Sequence, residues 1–265
     1  MKFSSLHNHT VFSDGIGTVK DNIESAVAKN LLSIGISDHS FTACDTSYCM
    51  KQGDYNNYIS EINRYKNEYK DIIPVFTGIE MDYYSQIDRE KFDYVIASVH
   101  YIIKNDICYP VDHSAKQQLD CVDDAFGGNI YDMAKHYFEL VVEHARKNKP
   151  DFIGHFDVLA KFSLMPEDEK YYEIAQEALK ETIKYCNVFE INTGAISRGY
   201  RTEPYPDKVI LSLINSLGGK IVINADSHSP NNVDYFFKES AQIAKNIGFK
   251  THYVFNGKTF DEIYL

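Results

Sequence analysis

The chain has 265 residues and a formal net charge of −11 at pH 7. Its 44% hydrophobic and 25% charged residues match folded globular proteins, which excludes an intrinsically disordered chain. The negative charge and the lack of a lysine- and arginine-rich stripe argue against nucleic acid as a partner. A small phosphate ester stays compatible, because bound cations reverse the local sign of an acidic pocket.

The apolar runs and the cysteines bear on cellular location. No run approaches the roughly 18 apolar residues of a membrane span, and residues 1–10 carry histidines where a signal peptide needs an apolar stretch. The five cysteines are odd in number and include no CxxC pair, which predicts neither a disulfide framework nor a zinc–thiolate site. We therefore expect a cytoplasmic protein that does not bind a membrane.

Seven short β-rich segments alternate with segments of helical periodicity. The predicted strands are residues 3–7, 32–37, 75–80, 94–99, 152–154, 188–192 and 220–225, and the predicted helices are residues 18–30, 55–65, 131–147 and 171–185. Thr18 and Asp21 have the spacing of a capping box at the start of the first helix. The alternation predicts an α/β fold with a closed or doubly wound parallel sheet, in a single domain over residues 1–265.

Residues 101–129 interrupt this alternation with weak periodicity. They include Tyr109-Pro110, an acidic run over 120–124 and the pair Gly127-Gly128. Loops of this length in a compact domain often act as lids or binding loops. An irregular surface excursion is the alternative interpretation.

Polar residues that can bind metals recur at or just after the ends of the predicted strands. In chain order they are His7, His9 and Asp14; Asp38 and His39; Glu80 and Asp82; His100; His155 and Asp157; Glu190; and Asp226 and His228. In a (β/α) barrel this C-terminal edge is where active sites are built, because the loops converge there. The positions therefore predict one polar site at that edge.

Local spacing supports metal binding at two of these positions. Alternate residues of a strand face the same side, so His7 and His9 can reach one cation. Glu80 ends an apolar run, where a buried carboxylate is costly unless it is paired or coordinated, and we interpret it as a bridging metal ligand. Glu190 has the same setting, but a substrate-binding or supporting role fits it as well as ligation does.

The other histidines do not end strands. His113 lies in the long interruption, where it is a candidate for gating the pocket and contacting substrate. His136, His144 and His252 are interpreted as structural or surface groups.

The ordered motifs resemble those of the polymerase-and-histidinol-phosphatase (PHP) family. They are His7-Asn8-His9-Thr10 with Asp14, Ser37-Asp38-His39, Gly78-Ile79-Glu80, Ser98-Val99-His100, Gly154-His155-Phe156-Asp157 and Asp226-Ser227-His228. The resemblance implies a distorted (β/α)7, TIM-like barrel that binds three divalent metal ions, namely zinc, manganese or iron. By position, His7, His9, Glu80 and Asp226 would hold one ion; Glu80, His100 and His155 a second; and Asp14, His39 and His228 a third.

Two further motifs are similar to the histidinol-phosphatase branch of the family. They are the run from Tyr109 to Ser114 and the run from Glu190 to Thr193. This similarity implies a phosphomonoesterase of histidine biosynthesis that hydrolyses L-histidinol phosphate with a metal-activated water.

Cationic residues near the predicted edge are candidates for binding the phosphate. They are Arg198, Arg201 and Lys161. The branch places arginines where Ala160 and Ser197 stand here. This chain therefore differs from the branch at positions expected to bind the substrate, while its predicted metal ligands match.

Asp38 and Asp157 are expected to orient histidine ligands by accepting their other ring protons. The oligomeric state stays open. The alternative functions are a phosphodiesterase or 3′-end nuclease of the same family and a non-catalytic metal-binding module.

Overall fold

The computed structural model describes residues 2–265, and these residues form ten strands and eight helices. The strands are β1 Ile34–Ile36, β2 Val75–Asp82, β3 Tyr94–Ser98, β4 Tyr101–Lys104, β5 Ile107–Pro110, β6 Phe152–Ile153, β7 Val188–Asn192, β8 Lys220–Asn224, β9 Thr251–Phe255 and β10 Phe260–Tyr264. The helices are α1 Val19–Ala28, α2 Tyr55–Glu68, α3 Ala115–Asp120, α4 Ile130–Asn148, α5 Glu169–Thr182, α6 Gly194–Ser197, α7 Lys208–Ser216 and α8 Phe237–Ile247. No helix among the described residues is long and apolar enough to cross a membrane.

Six strands pair in parallel in the order β1-β2-β3-β6-β7-β8, and the N-terminal segment lies between the two outer strands. Ser5 bridges to Ile34 on one side, and Asn8 bridges to Ser227 on the other. The expected first strand is therefore reduced to isolated pairings. Side-chain amides replace part of its ladder, because Leu6 N donates to the Asn224 amide oxygen at 2.8 Å. The predicted α/β barrel is confirmed.

Tyr94 fills the interior of the barrel near the N-terminal ends of the strands. Its hydroxyl donates to the carbonyl oxygen of Leu6, and its ring occupies the space that side chains at Gly35 and Gly78 would need. The absence of a Cβ at these two positions therefore lets the tyrosine cross the barrel.

The antiparallel β9–β10 hairpin covers this same end and was not predicted. The Phe255 ring packs 5.1 Å from the ring of Phe76 and 5.5 Å from that of Tyr94, measured between centroids. Phe260 packs 6.3 Å from Phe152 in the same way. The hairpin is thus an apolar floor beneath the strands.

The predicted helices are confirmed with small changes in their bounds. Thr18 caps α1 with the reciprocal capping box, in which the Asp21 side chain also accepts from the cap backbone. Helices α4 and α5 pack on the outside of the sheet with the main apolar cluster, and α7 and α8 complete this layer without having been predicted.

The interruption at residues 101–129 has regular structure. Strands β4 and β5 pair as an antiparallel hairpin, and α3 follows after the N-cap Ser114. A π-helical turn, Cys121–Ala125, then leads into α4. The alternative of an irregular excursion is therefore wrong, and the hairpin begins directly after His100, at the edge where the polar residues collect.

Candidate active site

All nine predicted metal ligands lie at the C-terminal edge of the barrel. His39 pairs with Glu80 just beyond β1 as an isolated parallel bridge, and His155 and Asp226 follow β6 and β8. Parallel strands bring these ends together, which is why residues far apart in the chain meet here. All of the nine except Asp14 are buried or half-buried.

Glu80 is the centre of the cluster. Its Oε2 lies 2.6 Å from His39 Nδ1 and 3.3 Å from His7 Nε2, and its Oε1 lies 2.9 Å from His155 Nε2 and 3.4 Å from His100 Nε2. Four histidines from four segments thus face the two oxygens of one carboxylate. This arrangement fits the predicted bridging position.

Asp226 and Asp14 contact the remaining histidines. Asp226 Oδ1 lies 3.1 Å from His9 Nε2, and Asp14 Oδ2 lies 3.2 Å from His228 Nε2. Asp226 has a left-handed backbone with φ 46°, a conformation that is uncommon outside glycine and that turns its carboxylate into the site. A Cβ at Gly194 would lie 2.8 Å from Asp226 Oδ2, so this close approach requires glycine.

Three groups of these side chains have donor atoms within 4.8 Å of one another. The groups are His9, Asp14, His39 and His228; His7, His9 and Asp226; and His39, Glu80 and His100. They overlap the sets expected from the family. They differ in three ways: His9 also joins the Asp14 group, Glu80 is missing from the group of His7, His9 and Asp226, and His39 stands instead of His155 with Glu80 and His100.

Two of the nine side chains, His9 and Glu80, have protonation states that suit bound cations, whereas nearby carboxylates raise the pKa of His7, His39 and His100 against the opposing effect of burial. Burial, together with the neighbouring rings of His228 and His39, lowers the pKa of His9 to about 3, so this imidazole is neutral at pH 7. Burial opposes a charge on Glu80, yet the surrounding histidines hold the pKa of Glu80 well below its usual range.

Several buried ring nitrogens have no hydrogen-bond partner, among them His7 Nε2, His9 Nδ1 and His155 Nδ1. Buried polar atoms are costly when unpaired. A nitrogen and oxygen donor set of this kind fits divalent cations of borderline softness.

Two carboxylates outside the nine contact ligand histidines. Glu190 Oε1 accepts a hydrogen bond from His7 Nδ1 at 2.7 Å, and Asp82 Oδ2 lies 3.3 Å from His100 Nδ1. Both are fully buried. No role is predicted for Asp82 from the sequence, but its position two residues after Glu80 on β2 places it on the same face of the strand, which is the signal that predicts this contact.

Asp38 and Asp157 do not have the predicted contacts with histidine rings. Asp38 accepts from the backbone and side chain of Thr10 and from the side chain of Ser13, at 2.5–2.8 Å. Asp157 accepts from the backbone N of Asp207 at 2.9 Å, and burial raises its pKa to about 6. Both carboxylates hold loops at the edge of the site.

A pocket opens over the cluster and contains three of the predicted substrate-binding residues: Arg198, Lys161 and His113. Arg198 Nη1 lies 2.8 Å from His228 Nδ1, and its Nη2 donates to Asp226 Oδ2 at 3.2 Å. Lys161 donates to Asp112 at 3.1 Å. His113 is exposed at the rim.

The other predicted residue, Arg201, is turned away from this pocket. Its Nη1 donates to the carbonyl oxygen of Ala160, and its guanidinium stacks 5.0 Å from the centroid of the Tyr205 ring. His144 and His252 are buried away from the pocket, in accord with the structural role predicted for them.

A disulfide joins two segments that line the pocket, although the number and spacing of the cysteines predicted no disulfide framework. Cys44 and Cys108 are bonded across 64 residues of sequence, with their Cα atoms 5.7 Å apart. The loop that carries Cys44 also supplies Tyr48, and the β4–β5 hairpin that carries Cys108 supplies Tyr101, both of which line the pocket. These tyrosines were not predicted, because no motif distinguishes them from packing tyrosines.

Comparison with known proteins gives a consistent result. A family model described as the PHP domain matches residues 5–194. The chain is 30% identical over 196 residues to a Schizosaccharomyces pombe protein named a probable histidinol-phosphatase, in an alignment that covers 68% of this chain and 61% of that protein. It is 26% identical over 294 residues to the histidinol-phosphatase of Lactococcus lactis, covering 99% and 97% of the two chains.

A crystal structure has the same fold. It is the histidinol phosphate phosphatase of Lactococcus lactis complexed with zinc, L-histidinol and phosphate, with a TM-score of 0.73 and 24% identity over 98% of this chain and 99% of that one. The family match covers well over half of the chain, in the segment that carries seven of the nine clustered side chains. The protein therefore belongs to the PHP domain family.

Proposed function

We propose that the protein is a metal-dependent phosphatase that hydrolyses L-histidinol phosphate to L-histidinol and phosphate. The observation that carries the proposal is the convergence of nitrogen and oxygen donor atoms within 4.8 Å in three overlapping groups. The histidinol-phosphatases of Lactococcus lactis and other organisms, which align over most of this chain, support the choice of substrate.

We assign three divalent ions, of zinc, manganese or iron, to the nine side chains. The ligand sets are His7, His9, Glu80 and Asp226; Glu80, His100 and His155; and Asp14, His39 and His228. When bound there, neighbouring divalent ions would supply a water of lowered pKa and neutralise phosphoryl oxygens. The short contacts of Glu80 with four histidines support its place between the first two sets.

Arg198 is proposed to bind the phosphoryl group. Its guanidinium lies against Asp226 and His228, so a phosphate held beside these residues comes within reach of its donors. Arginine forms paired hydrogen bonds with phosphate oxygens, which a lysine cannot match in geometry. Lys161, whose ammonium group pairs with Asp112, is a second cationic hydrogen-bond donor on the pocket wall.

This arrangement bears on the departure from the family branch at Ala160 and Ser197. Arg198 and Lys161 each stand one position later in the chain, and both line the pocket. Their position in the pocket supports the interpretation that Arg198 and Lys161 take the place of the arginines that the branch has at positions 197 and 160.

A kinetic screen tests the proposal. Protein with measured metal content is assayed with L-histidinol phosphate, other phosphorylated metabolites, p-nitrophenyl phosphate and bis-p-nitrophenyl phosphate. We expect the highest kcat/KM for L-histidinol phosphate and little hydrolysis of the diester. A preference for the diester would favour the phosphodiesterase alternative, and inactivity towards every ester would favour the non-catalytic module.

A further inference from the structure

Glu190 contacts the cluster of metal-binding side chains without belonging to it. It lies at the middle of β7 and is fully buried. We propose that Glu190 is a positioning residue that fixes the tautomer of His7 and the main chain of His155, so that both rings present the correct nitrogen to the ions. This inference rests on the proposed metal-dependent function.

Four donors saturate the Glu190 carboxylate. Oε1 accepts from His7 Nδ1 at 2.7 Å and from Asn224 Nδ2 at 3.1 Å. Oε2 accepts from the backbone N of His155 at 2.9 Å and from Asn192 Nδ2 at 2.8 Å. An ionised carboxylate has about four acceptor positions, and all of them are used here. Ligation of an ion by Glu190, the other role open from the sequence, is therefore disfavoured.

The contact with His7 selects one tautomer of the ring. A neutral imidazole has one N–H donor and one nitrogen with a free lone pair. Because Nδ1 donates to Glu190, the free lone pair belongs to Nε2. That nitrogen is buried without a hydrogen bond and lies 3.3 Å from Glu80 Oε2 and 3.7 Å from Asp226 Oδ1. Nε2 is thus the atom that faces the other donors of the predicted ion.

The same carboxylate ties together three segments of the barrel edge. His7 comes from the N-terminal segment, His155 follows β6 and Asn224 ends β8. Asn192 extends the network, because its Nδ2 also lies 3.3 Å from Asp226 Oδ2. A shift of Glu190 would therefore move ligands on both sides of Glu80 together.

Replacement by glutamine tests this role sharply. The side-chain amide introduced by Glu190→Gln has one NH₂ group, which must face either the donors at Oε1 or those at Oε2. If it faces His7, the ring has to accept at Nδ1 and carry its proton on Nε2, which blocks the metal-binding nitrogen. If it faces His155, it opposes the backbone N–H and displaces that ligand. Glu190→Gln should thus weaken metal binding while keeping the size of the side chain.

The experiment measures zinc retention directly, apart from activity. Wild type, Glu190→Gln and Glu190→Ala are loaded with Zn²⁺ and titrated with a competing chelator, and bound zinc is counted. We expect both variants to lose at least one zinc ion about 10- to 100-fold more readily than wild type, the range for loss of an outer hydrogen-bond partner.

Asp151→Asn is the matched control. Asp151 also accepts a hydrogen bond from a strand, at 2.7 Å from Val95 N, but it lies at the opposite end of the barrel. We expect this control to lower the melting temperature and to leave zinc retention unchanged. Glu190 variants that hold zinc as tightly as wild type would overturn the proposal.

A measurement on the unaltered protein covers the case in which the variants do not fold. In the zinc-loaded protein labelled with ¹⁵N-histidine, the ring of His7 should show a protonated Nδ1 and a zinc-bound Nε2. Zinc bound through Nδ1 would refute the role of Glu190. Wild type that shows the expected tautomer yet does not hydrolyse L-histidinol phosphate would refute the proposed function alone.

Discussion

Glu80 and His155 stand 75 positions apart in the chain, yet Glu80 Oε1 and His155 Nε2 lie 2.9 Å apart. The contact joins the ends of β2 and β6, two strands that each pair with β3. Because the Glu80 carboxylate reaches across β3 in this way, its two oxygens can contact predicted ligand histidines on both sides of that strand. The first prediction concerns this shared carboxylate.

Glu80→Gln should abolish most of the phosphatase activity. The amide cannot carry the negative charge that is proposed to hold cations between four histidines, so we expect kcat/KM to fall by more than the roughly 10- to 100-fold cost of losing an outer hydrogen-bond partner. Metal content should fall in parallel. Glu139→Gln, on the exposed face of α4, is the control and should match wild type. An active, metal-replete Glu80→Gln enzyme would contradict the bridging role.

Arg198 and Arg201 should differ in their effects on the reaction. Loss of a charged hydrogen-bond donor to the phosphate costs about 1.5–3 kcal/mol, so Arg198→Ala should lower kcat/KM about 10- to 100-fold. Arg201→Ala should mainly lower stability, because its guanidinium is engaged with Ala160 and Tyr205. Steady-state kinetics and thermal melting of both variants separate these effects. A larger loss of kcat/KM in Arg201→Ala would reverse the assignment.

The Cys44–Cys108 disulfide should add stability under oxidising conditions. It closes a loop of 64 residues, for which chain entropy alone predicts roughly 4 kcal/mol. Urea unfolding with and without a reductant should show this difference in wild type and in Cys186→Ala, but not in Cys44→Ser. Equal stability of reduced and oxidised wild type would show that the bond does not constrain the unfolded chain.

The packing of Tyr94 predicts that Gly78 does not tolerate a methyl group. Its Cβ would overlap the tyrosine ring, and overpacking of this kind costs about 1–3 kcal/mol. Gly53→Ala is a suitable control, because its Cβ would meet nothing within 4 Å. We expect the free energy of unfolding to fall in Gly78→Ala and to stay unchanged in Gly53→Ala. Equal values would mean that Tyr94 can move aside.

His252 should make the metal-loaded protein sensitive to acid. Burial lowers the pKa of His252 to about 4 from the usual 6.5, so the unfolded chain binds more protons between these values. Stability should therefore fall as the pH drops from about 6.5 to about 4, by roughly 3 kcal/mol in total. His252→Leu should remove this part of the decline in urea unfolding measured across that range. An unchanged slope would assign the acid sensitivity to other groups.

The strands of the sheet and the rim positions could be predicted from the sequence because both depend on local patterns. Buried parallel strands are short apolar runs, and polar residues at their ends mark the edge where active sites lie. The strand at residues 188–192 was predicted with its observed bounds. The assignment of ions to the nine side chains stays a prediction.

The supporting contacts could not be predicted, since they depend on side-chain direction and on distant segments. Asp38 is next to His39, but neighbouring residues of an extended chain point to opposite sides, so it turns to Thr10 instead. Glu190 supports His7 from 183 positions away. The pairing of Cys44 with Cys108 had no spacing signal either, because it depends on how the β4–β5 hairpin folds back over the pocket.

The β9–β10 hairpin has a consequence for the order of events during turnover. Phe255 and Phe260 close the barrel from below, against Phe76, Tyr94 and Phe152. Substrate and products therefore cannot pass through the interior of the barrel, and the pocket opening beside Tyr48 and Tyr101 serves for both entry and release. The next phosphate ester can bind only after the alcohol and the phosphate of the previous turnover have left through the same opening.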